Sequence, residues 1–103
     1  MSGHRKWERA ERDTEEVAQG YEEARLAYEL AEWARKRRKT LGLSQAAVAA
    51  RAGMTQPALS VLEAGGTIPT IPLLRRLARA LDADFQVGFK TREAGRVELL
   101  DAC

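Results

Sequence analysis

The stretch from Ser44 to Gly65, SQAAVAARAGMTQPALSVLEAG, constrains this chain most, because it reads as two short helices joined by a tight turn. Ser44 is placed to cap the first helix by accepting from backbone N–H groups two or three residues on. Val48, Ala49 and Ala52 fall at helical spacing on one face, and Gly53 supplies a left-handed stop. Thr55 caps the second helix, with Pro57 in its first turn, where a missing N–H costs nothing. Leu59 and Leu62 point inward, which leaves Gln56, Pro57, Ser60 and Val61 on the outer arc. A projecting helix with small or amide-bearing outer side chains suits the major groove of DNA, since bulky ones hold the backbone off the bases. The competing reading is an αα-hairpin in an ordinary bundle, with Gln56 and Ser60 as solvated surface.

The flanks favour the first reading. RRKTLGLSQ stands before the pair, and LLRRLARAL follows it beyond a proline-containing loop. With AAVAARAG and TQPALSVLEAG, these marks make residues 30–83 resemble the helix-turn-helix domain of the Xre/Cro family, which includes the lambdoid phage repressors. The resemblance implies a mainly α, five-helix bundle that binds DNA, usually as a dimer. Hydrophobic spacing supports the same bundle independently. Leu30, Ala34 and Leu41 share one face of the entering helix, and Leu43, Val48, Leu59, Leu62, Leu73, Leu77 and Leu81 supply the remaining core. The last helix starts with Thr70 as cap and Pro72 in its first turn, then runs to Leu81. A domain this small buries only about 60% of its unfolded surface, so a second copy would help to stabilise it.

The resemblance also assigns roles. Gln56 becomes the leading base reader, since a glutamine amide bonds adenine N6 and N7 together. Pro57, Ser60 and Val61 complete the base face, with Val61 suited to a thymine methyl. Gln45 meets phosphate, while Thr55 and the Gly66–Thr67 loop offer N–H groups or a hydroxyl to the same strand. Arg38 and Glu63 match an Arg–Glu pair that ties the first helix to the recognition helix in phage-repressor relatives. Pro57 and Ala58 depart from the more polar residues common in those repressors, which thins base readout and shifts specificity toward DNA shape.

The net charge of +2 on 103 residues conceals a division. Residues 1–34 hold five Lys/Arg against nine Asp/Glu, and residues 35–103 hold twelve against six. Between 35 and 81 there are nine basic side chains and one acid, Glu63, a concentration that suits a polyanion. Part of the Arg35–Lys39 cluster is expected on phosphate, while Arg75, Arg76 and Arg79 read equally well as surface. One histidine, His4, and one cysteine, Cys103, give no metal-ligand spacing, no catalytic Ser/His/Asp or Cys/His set and no internal disulfide. No apolar run approaches the roughly 18 residues of a membrane span. The expectation is a cytoplasmic, non-enzymatic protein without a cofactor.

Two appendages flank the domain. Residues 1–29 read as an acidic helical extension, part of a long helix from about Thr14, or from Tyr21 if Gly20 interrupts it, to Lys39. Residues 1–13, highly charged and poor in apolar side chains, read as ordered only in a complex. Trp7, Tyr21 and Tyr28 give the extension more apolar surface than a spacer needs; this surface either folds back on the domain or docks a partner. Within residues 84–103, Phe85, Val87 and Phe89 alternate with polar residues as in a half-buried strand. Thr91 to Gly95 makes a turn, and Arg96 to Leu100 returns as a second strand. That strand or hairpin either packs within the protomer or joins its two-fold mate as a dimerisation element.

A long acidic helix before such a domain and a short strand after it resemble HigA-type antitoxins of bacterial toxin–antitoxin pairs, on YEEARLAYELAEWARKRRKTLGLSQ and LARALDADFQVGFK. That resemblance implies neutralisation of a HigB/RelE-like mRNA interferase and repression of its own operon at a palindromic operator. The alternative is a stand-alone Xre-family or phage-type regulator without a toxin.

Overall fold

The computed structural model describes residues 2–93 and 95–101, with side chains over 16–93 and 95–100. Four helices come first, α1 (Ser2–Thr40), α2 (Gln45–Ala52), α3 (Gln56–Glu63) and α4 (Ile71–Ala80), followed by β1 (Gln86–Lys90) and β2 (Val97–Asp101). The class is the expected one, mainly helical with a C-terminal hairpin, but among the described residues four helices stand where five were expected. The chain turns out of α4 at Asp82, which takes a positive φ of 51°, while the Ala83 N–H closes back on the Ala78 carbonyl at 2.8 Å. Beyond that stop the sequence has period two, so strands occupy the place of a fifth helix.

The short helices end where local chemistry dictates. Ser44, Thr55 and Thr70 each take extended backbone and accept from the N–H three residues on, at 3.1, 3.2 and 3.3 Å. Gly53 closes α2 in the left-handed region at φ 67°, and Pro57 and Pro72 fall in first turns. Ala34, Val48, Ala49, Ala52, Leu59, Leu62, Leu77, Ala80 and Leu81 form the core, with Leu41, Leu43, Met54 and Leu73 packed against it.

The long helix starts earlier than expected. α1 begins at Ser2, not near Thr14 or Tyr21, and runs through Gly20. Its 39 residues match the 60 Å long dimension of the molecule, at about 1.5 Å rise each. Ala27, Ala31 and Ala34 are its buried contacts with the body. Small side chains here let backbones approach. Gly65, in the left-handed region at φ 76°, lies so close that a Cβ there would stand 3.6 Å from the Tyr28 Cα.

The hairpin is antiparallel, pairing Val87 with Leu100 and Phe89 with Glu98. β2 starts at Val97, one residue later than expected. The strand read as half-buried is not so in the single chain. All five residues of β1 are exposed, because no helix packs over it, and Phe85 lies just before it, half-buried.

Candidate nucleic-acid interface

α3 divides its side chains cleanly. Leu59 and Leu62 are 0% and 2% exposed, and Val61 is 48% exposed. Gln56, Pro57, Ser60 and Val61 lie together on its solvent side, as their spacing predicts. That outer arc carries no charge, so the helix can approach a groove closely but reads it with few polar groups.

The orientation of α3 is held by a buried carboxylate. Arg38 donates from Nε to Glu63 Oε2 at 2.8 Å and from Nη2 to Oε1 at 2.9 Å, a two-pronged pair that ties α1 to α3. Arg38 also reaches the Leu43 carbonyl at 3.1 Å, and Arg35 reaches the Glu63 carbonyl at 2.9 Å. Burial pushes the Glu63 carboxyl up, but hydrogen bonds from Arg38 and Gln45, with the charges of Arg38 and Arg35, outweigh it and hold the group below its ordinary value of 4.5. The bond to Glu63 raises Arg38 in turn.

Gln45 was expected on phosphate. Its Nε2 instead donates to Glu63 Oε1 at 3.2 Å, because the first turn of α2 faces the C-terminal end of α3. The Gly66 N–H is likewise engaged, donating to the Val61 carbonyl at 2.9 Å. It closes the end of α3 on a carbonyl that also accepts from the Ala64 N–H at 3.3 Å. Thr67 remains exposed beside it, and the Thr55 hydroxyl accepts from Ala58 while staying at the surface.

The basic cluster is the larger surprise. Arg37 donates to the Leu81 and Asp82 carbonyls at 2.9 and 3.2 Å, closing the end of α4. Arg76 donates to the Ala52 carbonyl at 2.9 Å, closing α2. With Arg35 and Arg38, four of the nine basic residues between 35 and 81 are clamps on carbonyls or on Glu63, and Lys36 pairs with Glu32. Such clamps escape sequence reading because each partner is remote. Lys39, Arg51, Arg75 and Arg79 are exposed, and among the described residues their side chains make no hydrogen bond or ion pair.

Phe85, Val87 and Phe89 share one side of the hairpin, where Val87 and Phe89 are 37% and 67% exposed. Tyr21 and Tyr28 are 75% and 60% exposed on α1, with Tyr28 against Gly65, and the side chain of Trp7 lies outside the described residues. Among the described residues no group of acids, histidines or cysteines could hold a metal, and no helix is long and apolar enough to cross a membrane.

The two short helices, their turn and the tether to α1 define a helix-turn-helix domain. The chain belongs to the HTH_3 helix-turn-helix family, whose model matches residues 35–87. Among solved structures it is similar to an HTH_3 family transcriptional regulator from Vibrio cholerae, with a TM-score of 0.58 and 31% identity. The likeness covers 60% of this chain and 35% of that one. No curated protein matches it.

Proposed function

We propose that this protein is a sequence-specific DNA-binding transcriptional repressor, acting by binding and not by catalysis, in the cytoplasm, as a homodimer on a palindromic operator. The observation that carries this reading is the uncharged outer arc of α3, solvent-exposed on a helix whose inner side is locked by Leu59, Leu62 and Glu63. Gln56 is the leading base reader and Ser60 and Val61 its neighbours, while Lys39, Arg51 and Thr67 are free to meet phosphate. The family and the likeness to a transcriptional regulator support it. Truncating Gln56 to alanine is expected to cost about 1–3 kcal/mol of discrimination at one base pair. Binding titrations on a selected operator and on random DNA check this, and an equal loss on both would remove Gln56 from base reading.

The finer reading is a HigA-like antitoxin. It draws support from residues 13–32, which hold seven acids and one base, and from Tyr21 and Tyr28 exposed on the same helix. A basic RNase toxin is electrostatically complementary to such a surface. In a cell-free translation assay the full-length chain should rescue synthesis from a cognate HigB/RelE-like toxin, and Tyr21→Glu should weaken that rescue. No rescue would leave the stand-alone regulator.

A further inference from the structure

We propose that two copies of this chain join edge to edge through β1, about a two-fold axis at Gly88, to make one four-stranded antiparallel sheet. This rests on the dimeric regulator reading and names its contact. A two-stranded ribbon does not sustain itself in water. This one exposes all of β1, and Phe89, Val97, Leu99 and Leu100 are 67%, 56%, 62% and 49% exposed.

The register fixes which backbone groups are free. Thr91 N–H donates to the Arg96 carbonyl at the turn, and antiparallel pairs alternate between bonded and non-bonded. Phe89 and Val87 therefore bond to β2, in phase with Thr91 and Arg96, while the N–H and C=O groups of Gln86, Gly88 and Lys90 point outward from β1. Two such edges centred on Gly88 set Gly88 against Gly88 and Gln86 against Lys90 as bonded pairs. Val87 then faces Phe89 of the second copy in the closer, non-bonded pair. Leu100, opposite Val87 in the same chain, lies on that face, so each row across the joined sheet sets Leu100, Val87 and the second copy's Phe89 side by side, ending at Glu98. Gly88 bears no side chain at the axis; a Cβ there would stand 2.6 Å from the Glu98 carbonyl oxygen and 2.8 Å from Leu99 Cδ2.

Charge selects this edge. β1 carries only Lys90, which pairing sets opposite Gln86. β2 carries Glu98 and Asp101 without a cation, so joining two β2 edges gathers four carboxylates. Joining β1 to β2 of the next copy matches Lys90 with those carboxylates, but that contact is head-to-tail and grows without closing.

The full-length chain carrying Cys103→Ser is prepared once as Val87→Cys and once as Phe89→Cys. The mixture is expected to form a disulfide-linked pair on mild oxidation, and neither chain alone should do so. Phe89→Ser in the native chain should raise the midpoint concentration of dimerisation about tenfold, since it removes both Val87–Phe89 contacts across the axis, with helical circular dichroism unchanged. A dimer without the mixed disulfide, a ladder of higher oligomers, or a monomer at about 100 μM, where only weak contacts fail to populate, overturns the proposal. DNA binding by the native chain is measured alongside, so a failed sheet is distinguishable from a failed regulator reading.

Discussion

Replacing Arg38 with alanine is expected to lower the unfolding free energy by about 3–5 kcal/mol, because it strands a carboxylate in the protein interior. Glu63 is 4% exposed, and Arg38 supplies two of its bonds. Gln45 remains, but a neutral amide does not replace a guanidinium. Replacing both members together, with Arg38→Met and Glu63→Leu, should cost less than the single change, since no charge is then left unpaired. The pH dependence separates the variants further. In the native chain Glu63 is held below 4.5, so its stabilisation is complete above that pH and is lost as pH falls through the lower folded-state value. Without Arg38, only the Gln45 hydrogen bond and the Arg35 charge oppose burial, so the carboxyl rises from its place in the native chain and protonation costs the variant less. The gap between native chain and variant should therefore narrow as pH drops from neutral through the carboxylate range. Urea denaturation across that range measures it. A neutral-pH difference below about 1 kcal/mol would place the pair with exposed salt bridges.

That network marks the line between what was legible in the sequence and what was not. α2 and α3 were readable because their ends are set within four residues: Ser44, Gly53, Thr55 and Pro57 are local instructions. The core leucines were readable for the same reason, through periodicity. The start of α1 was not, since a run rich in Glu, Ala and Arg favours helix everywhere and marks no beginning. The roles of the arginines were hidden for a different cause. Arg35, Arg37 and Arg76 reach carbonyls 28, 44 and 24 residues away, and nothing in composition tells a carbonyl clamp from a phosphate ligand. Counting nine cations on one segment therefore overstated the charge free for DNA. The alanines at 27 and 31 carried little signal as core, because their contribution is the close approach they permit.

The recognition helix should respond to truncation in two separable ways. Leu59→Ala is expected to cost about 2–5 kcal/mol, from lost burial and the cavity left behind. Leu59 is fully buried and belongs to the shared core with Val48, Leu77 and Leu81. Against a total stability of about 5–15 kcal/mol, such a loss would leave a measurable unfolded population at moderate temperature. Ser60→Ala, one position on, removes an exposed hydroxyl and should change stability by no more than about 0.5 kcal/mol. Their effects on DNA should be opposite in kind. Leu59→Ala lowers apparent affinity for every sequence equally, because it reduces the folded fraction and touches no base. Ser60→Ala leaves random-sequence affinity alone and alters only the preference at the step it faces. Denaturation curves combined with binding titrations on operator and random DNA separate the two. If Leu59→Ala melts like the native chain, α3 is not anchored through that residue, and the exposed arc opposite it has no fixed orientation from which to read.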